Sequence, residues 1–330
     1  MNILYLFNMI LSVSALSCIS DTGSAADWWF ASKEPKGTSY LYADTIQIQL
    51  SQSAHDLNDT TAGALANTLT QLWTDSVTLG YAIFNDEPFN EPVSFTCGHT
   101  KGIWAWDTGS KTGFILTHSI PIFPAGPSQV SAYQALSSNA WTYAQNMACF
   151  SFDIDTLSKM ATNAKLTSAN LYDVRVPSDT PTEIAEFANG SKMENPICSQ
   201  LTIQTLGGQG LSYFAKSGVW DGELYAECLA PGLAADVLVE SWIRGSAEGP
   251  SCNGTQSVND IQELNFGSGF EYKESSDHSK WAVIADGSVF CSADINRMTT
   301  QYARGGGAIC MKNAKFATQM KNAITGHDQC

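Results

Sequence analysis

The segment Cys97-Gly98-His99-Thr100-Lys101-Gly102 has a counterpart about half a chain length further on, in Asp277-His278-Ser279-Lys280-Trp281. Each segment contains His-x-Lys and leads into an apolar stretch that ends at an aspartate, Asp107 in the first and Asp286 in the second. Turn residues follow both aspartates, which is typical of a β-hairpin. Because the pattern occurs once in each half of the chain, we predict two related halves that each contribute one His-x-Lys strand.

The rest of the chain mixes strand and helix patterns. Runs rich in β-forming residues cover 77–84, 102–107, 113–117, 280–286 and 288–292. Apolar residues at helical spacing cover 60–73 and 311–324. A further helix is predicted to open at Thr180-Pro181-Thr182-Glu183, with proline at its first helical position. The fold class is therefore α/β or α+β.

The composition is that of an ordinary globular protein. The 330 residues are 44% hydrophobic and 15% charged, values that exclude a disordered chain, collagen and a polytopic membrane protein. The net charge of −15 argues against a polyanionic ligand over most of the surface. Residues 287–330 are locally basic, however, and can accept a phosphate. Acidic pH also weakens the repulsion, because carboxylates approach their ordinary pKa of about 4.

The start of the chain indicates secretion. Residues 3–16 contain a short apolar run that ends in the small-x-small pattern Ala15-Leu16-Ser17, which is typical of a secretory signal peptide. The run is too short to cross a bilayer, since a spanning helix needs about 20 apolar residues. We therefore expect residues 1–17 to be a signal peptide and the protein to be secreted or lysosomal, without a membrane partner.

Nine cysteines fit an oxidising compartment. The odd number leaves one free thiol, unless cleavage after Ala26 removes Cys18. Three sequons, at Asn58, Asn189 and Asn253, predict glycosylation.

The two His-x-Lys strands suggest phosphodiester chemistry. Side chains at positions i and i+2 of a strand point to one face, so His99 and Lys101 share a face, as do His278 and Lys280. If the halves pack face to face, the lysines can hold the non-bridging oxygens of a phosphodiester. One histidine can then attack phosphorus and form a phosphohistidine, while the other protonates the departing oxygen.

We take His99 as the nucleophile and His278 as the general acid, and the reverse assignment stays open because the halves are nearly equivalent. The mechanism needs no metal and no other cofactor, because lysine and imidazolium carry the charge that Mg²⁺ would neutralise. An acid histidine that enters protonated predicts an acidic optimum, since its ordinary pKa is about 6.5.

Other polar residues have two interpretations. Asn296 can donate an amide hydrogen bond to a phosphate oxygen. His118 is either a third site histidine or a buried structural one. Arg304-Gly305-Gly306-Gly307 is either an anion-binding loop or a turn before the last helix, and we favour the turn. The chain lacks a Gly-x-Ser-x-Gly elbow, a Walker loop and a His-Glu-x-x-His motif.

Four segments together resemble the deoxyribonuclease II family, namely 97–102, His118-Ser-Ile-Pro-Ile-Phe-Pro124, 277–281 and 304–307. The resemblance spans essentially the whole mature chain. It implies a phospholipase D-like fold of two pseudo-symmetric halves, 18–165 and 166–330, each a mixed β-sheet flanked by helices. The active site is then at their interface. It further implies a metal-independent, acid-active endonuclease that acts on DNA and leaves 3′-phosphate and 5′-hydroxyl ends.

The resemblance also implies roles for particular residues. Both His-x-Lys pairs match the family's active-site motifs, His118 matches a third histidine that the family retains, and Asn296 resembles the asparagine after the second motif of phospholipase D enzymes. The aspartates of that superfamily do not match Asp107 and Asp286, which we leave out of the catalytic set.

The family pattern predicts the disulfides Cys18–Cys149, Cys252–Cys330 and Cys291–Cys310. Cys97, Cys198 and Cys228 have no family partner. One of them is free or bonds to a second copy of the chain, so a homodimer is an open alternative.

Two other functions remain open at this stage. A catalytically silent secreted protein could keep the nuclease fold in order to bind partners, which fits the acidic surface and the cysteines without family partners. A phospholipase-type phosphodiesterase would use the same pocket on a different substrate.

Overall fold

The computed structural model describes residues 15–267 and 269–330. Most of the predicted signal peptide, residues 1–14, lies outside the described residues. The strands are β1 (Cys18–Ile19), β2 (Ala25–Ala26), β3 (Trp28–Lys33), β4 (Tyr40–Asp44), β5 (Ser51–Gln52), β6 (Leu79–Phe84), β7 (Gly102–Asp107), β8 (Thr112–His118), β9 (Gln145–Asp153), β10 (Leu171–Arg175), β11 (Cys198–Gln204), β12 (Gly210–Lys216), β13 (Val237–Glu240), β14 (Val258–Asn265), β15 (Glu271–Lys273), β16 (Trp281–Ile284), β17 (Phe290–Ala293), β18 (Gly306–Met311) and β19 (Ile324–His327). The α-helices are α1 (Ala64–Leu69), α2 (Ile154–Ala164), α3 (Thr182–Ala188), α4 (Ala230–Leu233) and α5 (Ala314–Asn322).

Two large sheets contain nearly all of these strands. The first has the order β10-β6-β7-β8-β9-β3-β4-β5 and the second the order β11-β12-β18-β17-β16-β13-β14-β15, with β19 paired to β14. Both predicted hairpins are present, as β7–β8 in the first sheet and β16–β17 in the second. β13 and β14 pair in parallel, and the other pairs of the two sheets are antiparallel.

The two sheets repeat one arrangement, which confirms the prediction of two related halves. The series β6-β7-β8-β9-β3-β4 corresponds to β13-β16-β17-β18-β12-β11, and each series is antiparallel throughout. Helix α2 follows β9, and α5 follows β18, at the same place in each half. The halves differ in the chain order of their last two strands. In the first half β3, which pairs with β9, precedes β4, whereas in the second half β12, which pairs with β18, follows β11.

The core lies in three layers. A central cluster between the sheets contains residues of both, together with the inward faces of α2 and α5. Helix α1 covers the outer face of the first sheet. A π-helical turn at Tyr225–Leu229 and the following α4 cover the outer face of the second. Each sheet is therefore flanked by helices on both faces, as expected for the α/β class.

Aromatic side chains join the two halves at the centre of the molecule. The ring of Phe30, on β3, lies 5.1 Å from the ring of Phe290 on β17 and 5.3 Å from that of Phe316 on α5. Trp28 also contacts Phe316, at 5.5 Å between ring centroids. Each such pair contributes about 0.5–1.5 kcal/mol beyond the burial of its apolar area. This aromatic cluster holds the sheets face to face.

Several boundaries differ from the sequence-based prediction. The helix predicted over 60–73 is α1 followed by a 3₁₀ turn at Thr70–Trp73. The last helix begins at Ala314, because Asn313 caps it by accepting a hydrogen bond from the Phe316 N–H at 3.2 Å. Pro181 is the N-cap of α3 and not its first helical residue.

The chain passes from one sheet to the other after Arg175. Strand β10 follows residue 165, the predicted end of the first half, yet it pairs with β6 in the first sheet. The second sheet begins at Cys198 with β11, and α3 lies between the two.

Four disulfides are present, namely Cys18–Cys149, Cys198–Cys228, Cys252–Cys330 and Cys291–Cys310. Three of them are the pairs that the family resemblance implied. The fourth joins two of the three cysteines that had no family partner, and the third of these, Cys97, is free and buried. Cys149 on β9 and Cys310 on β18 occupy equivalent positions in the two sheets. In the strand register Cys149 lies opposite Leu116 on β8, and Cys310 lies opposite Cys291 on β17.

The surface bears on two further expectations. Asn189 and Asn253 are exposed and Asn58 is partly buried; glycosylation of all three stays a prediction. A helix long and apolar enough to span a membrane does not occur among the described residues.

We predict that Phe30→Ala weakens the contact between the halves. Phe30 is only 1% exposed, so the substitution removes a fully buried ring and leaves a cavity. We expect the free energy of unfolding, measured by denaturant titration, to fall by about 3–5 kcal/mol. Phe95→Ala is the matched control, because Phe95 is 78% exposed and should change stability by about 0.5 kcal/mol or less. Equal losses in both variants would contradict the assigned role of Phe30.

Candidate active site

Five of the six predicted site residues line one cavity at the junction of the two halves. The cavity has a volume of about 670 Å³. His99 and Lys101 lie just before β7, and His278 and Lys280 lie just before β16, so the matched hairpins present both pairs to the same space. Asn296 enters from the segment between β17 and β18. We call this cavity the cleft.

His118 lies at the end of β8, outside the lining of the cleft as the described residues define it. Its ring stacks on Phe123 at 4.2 Å between centroids, and its Nδ1 accepts a hydrogen bond from the Ile120 N–H at 3.2 Å. Burial, and then the charge of Lys101, lower the pKa of His118 to about 3. These contacts favour the structural interpretation, in which His118 supports the strand beside Lys101.

His99 is held by backbone atoms of the second half. Its Nδ1 donates a hydrogen bond to the carbonyl oxygen of Asp294, and its backbone N–H donates to the carbonyl oxygen of Gly305 at 2.8 Å. A carbonyl oxygen can only accept, so Nδ1 carries the proton and the neutral ring has its lone pair on Nε2. Burial, and then the charge of Lys101, keep the pKa of His99 well below 6.5. His99 is therefore a neutral imidazole with a fixed tautomer.

His278 contacts two aromatic rings. Tyr143 stacks on it at 3.9 Å between centroids and 8° between planes, and Trp242 lies 3.9 Å from it at 32°, with 6.0 Å between the Tyr143 and Trp242 rings. Nε2 of His278 is buried and has no hydrogen-bond partner among the described residues. Burial, and then the charges of Lys280 and Lys101, lower the pKa of His278 to about 3.

A carboxylate in the first half neutralises one of the lysines. Asp86 forms an ion pair with Lys101 and accepts a hydrogen bond from Arg304 Nη2 at 2.9 Å. Burial raises the pKa of Asp86, but the charges of Lys101 and Arg304 outweigh it and lower the pKa to about 2. Asp86 is a site residue that sequence analysis missed, and no local motif marks it.

The favoured interpretation of Arg304–Gly307 as a turn before the last helix is wrong. Gly306 and Gly307 begin β18, a central strand, where a Cβ on Gly307 would collide with the backbone carbonyl of Phe214 on β12. Arg304 lines the cleft and donates hydrogen bonds to the carbonyl oxygens of Cys97 at 3.0 Å and Gly98 at 3.1 Å. It thereby fixes the segment that leads to His99.

Lys280 has no such counter-ion. Its Nζ donates a hydrogen bond to the carbonyl oxygen of His278 at 2.6 Å. In the part of the chain that the structure describes, its ammonium has no carboxylate within ion-pairing distance, in contrast to that of Lys101. Burial, and then the charge of Lys101, lower the pKa of Lys280 to about 7. The cleft thus contains one compensated and one uncompensated lysine.

Asn296 is positioned by its neighbour. Arg297 is fully buried and pairs with Asp260 at 2.7 Å, and its Nη2 donates a hydrogen bond to the carbonyl oxygen of Gly249 at 3.1 Å. Asn296 itself is buried, and its Oδ1 has no hydrogen-bond partner among the residues described. Asn296 lines the cleft, where its side-chain N–H₂ can donate a hydrogen bond to an anion.

The side chains of the cleft are suited to bind an anion and to break one of its covalent bonds by nucleophilic attack and proton transfer. It combines a neutral imidazole with its lone pair on Nε2, a second imidazole packed against two aromatic rings, an amide, and an ammonium that has no carboxylate partner among the described residues. Across residues 15–267 and 269–330, no group of three or more His, Cys, Asp or Glu side chains is arranged to hold a metal ion.

Comparison with known proteins identifies the family. The family model described as deoxyribonuclease II matches residues 17–330. Plancitoxin-1 of Acanthaster planci is 29% identical over 98% of this chain and 94% of its own length. Deoxyribonuclease-2-alpha of Sus scrofa is 29% identical over 96% and 92%, and that of Rattus norvegicus 30% identical over 90% and 89%. The chain belongs to the deoxyribonuclease II family.

Proposed function

We propose that this deoxyribonuclease is an acid-active endonuclease that hydrolyses DNA without metal, through a covalent phosphohistidine on His99. Family membership supports the nuclease activity itself. The observation that carries the finer proposal is that His99, Lys101, His278 and Lys280 line one cleft. The remaining steps follow from the contacts of these side chains.

In the first step a DNA phosphodiester enters the cleft. The unpaired ammonium of Lys280 and the amide of Asn296 hold its non-bridging oxygens. Nε2 of His99 attacks phosphorus, and the bond from phosphorus to the 5′-oxygen breaks. His278 gives its proton to that oxygen, which leaves as a 5′-hydroxyl.

In the second step water hydrolyses the phosphohistidine and releases the 3′ end of the cleaved DNA strand. The phosphate is now bonded to Nε2 of His99 and still carries the 3′-oxygen of the DNA. His278, neutral after the first step, accepts a proton from a water molecule as that water attacks phosphorus. The phosphorus–nitrogen bond breaks, a 3′-phosphate end departs, and both histidines return to their starting states.

The charges of the cleft couple the protonation of His278 to substrate binding. In the free cleft the pKa of His278 is about 3, because of burial and of the nearby lysines. A phosphodiester places a negative charge beside the ring and raises this pKa. The pKa of His99 lies well below 6.5, and its fixed tautomer keeps Nε2 unprotonated. Acidic pH can therefore charge the acid while the nucleophile stays neutral.

We also propose that the protein acts outside the cytosol, in the secreted or lysosomal compartment. Four disulfides support this, because cytosolic thiols are kept reduced. An acidic lumen would also reduce the repulsion between DNA and a chain with a net charge of −15. The signal peptide over 1–17 belongs to the same proposal.

We predict that His99→Ala and His278→Ala each abolish DNA cleavage. Plasmid nicking near pH 5 in the presence of EDTA is the assay. Loss of the nucleophile or of the proton donor should reduce the rate by at least about 100- to 10,000-fold. His55→Ala, which removes a histidine remote from the cleft, should cleave like the wild type.

Either of two results would contradict the proposal. Near-full activity of His278→Ala would exclude the two-histidine mechanism. A folded, glycosylated wild-type protein that binds DNA without nicking it would favour the silent binding protein, and one that cleaves phospholipid in its place would favour the phosphodiesterase.

We predict that Lys280→Gln shifts the pH dependence towards neutral pH. The positive charge of Lys280 lowers the pKa of His278, so its removal raises that pKa and keeps the acid protonated to higher pH. The loss of a phosphate contact should also raise KM. The measurement is kcat/KM against pH, with Lys165→Gln as control, because Lys165 pairs with Glu186 outside the cleft. A profile that stays in place, or moves to lower pH, would contradict this electrostatic account.

A further inference from the structure

The strand register shows which residues of the two halves are equivalent. Gly102 and Trp281 each follow the site histidine by three positions. Gly102 pairs with Phe84 on β6, and Trp281 pairs with Glu240 on β13. Phe84 and Glu240 therefore correspond, and two residues further along the chain lie Asp86 and Trp242. The same position thus carries an acidic residue in one half and an aromatic residue in the other.

Asp86 acts on the His99 side of the cleft. Its Oδ2 lies 3.9 Å from Nε2 of His99, and its carboxylate is the counter-ion of Lys101. When neutral His99 attacks phosphorus, its ring becomes a cationic phosphoimidazolium. A carboxylate at this distance stabilises that positive charge, and in a partly desolvated cleft the effect is stronger than in water.

Trp242 acts on the His278 side. No carboxylate stands at its position, so Lys280 keeps its charge for the substrate. Its ring and that of Tyr143 each lie 3.9 Å from the ring of His278. Aromatic faces attract a cation, and they also fix the plane of the imidazole. The two rings therefore hold the imidazole of His278 in one orientation at the cleft.

We propose that the exchange of Asp86 for Trp242 between equivalent positions assigns the two histidines their separate roles. Asp86 is a positioning residue that makes the first half the nucleophilic half, and Trp242 is a positioning residue that makes the second half the proton donor. This inference rests on the proposed two-histidine mechanism. It explains why the histidines of two nearly symmetric halves act as nucleophile and as proton donor.

The test separates the nucleophilic step from proton donation. The nitrophenolate of thymidine 3′-(4-nitrophenyl phosphate) leaves without being protonated, whereas the 5′-oxygen of DNA must be protonated as it leaves. We expect Asp86→Asn to lower first-turnover cleavage of both substrates by about 10- to 100-fold, with KM unchanged or lower. We expect Trp242→Ala to lower DNA cleavage by at least about 10-fold and to leave nitrophenolate release nearly unchanged.

Controls show whether the effects are merely structural. Trp242→Phe keeps an aromatic face and should recover most of the DNA cleavage. Should Trp242→Ala fail to fold, Tyr143→Leu removes the other aromatic ring against His278 and should give the same split between substrates. Glu186→Gln removes the carboxylate of an exposed ion pair outside the cleft and should leave both rates unchanged.

Three results would overturn the inference. One is a reversed pattern, in which Asp86→Asn affects DNA alone and Trp242→Ala affects both substrates. Another is an equal loss on both substrates in Trp242→Ala, which would indicate that Trp242 has only a structural role. The third is release of nitrophenolate by His99→Ala but not by His278→Ala, which exchanges the roles. A wild-type protein that cleaves neither substrate contradicts the proposed function itself and is thereby distinguished from these three.

Discussion

The packing of Phe30 against Phe290 and Phe316 holds two sheets face to face, and the cleft exists only where they meet. Neither half contains a complete site. His99 belongs to the first half, yet the carbonyl groups of Asp294 and Gly305, which fix its ring and backbone, belong to the second. The geometry of the proposed nucleophile therefore depends on the same contact that closes the core.

A cleft with two buried lysines and an arginine carries a large desolvation cost. Asp86 offsets part of it by pairing with Lys101 and Arg304, whereas in the described part of the chain no carboxylate pairs with Lys280. In the proposed mechanism a bound phosphate supplies the missing negative charge. The site thus attracts an anion locally, although the chain as a whole has a net charge of −15.

Sequence patterns were sufficient for the residues that lie next to a repeated motif. The His-x-Lys pairs, the two hairpins and Asn296 could be placed because strand alternation and short offsets determine their positions. Arg304 was misplaced because consecutive glycines usually mark a turn, whereas here Gly306 and Gly307 lie within β18 and Gly307 packs closely against the backbone of β12. Asp86 and the Cys198–Cys228 bond have no local signal. They depend on which strands and turns become neighbours in three dimensions, and that information lies outside any short segment.

Each of the four disulfides joins two cysteines of the same half. Cys18–Cys149 is complete once the first sheet has formed, and the other three bonds need only residues from Cys198 onward. The first half can therefore be cross-linked without any residue of the second, and the second without any residue of the first. Correct cysteine pairing does not depend on contact between the halves, whose association rests on noncovalent packing and on the chain that connects them.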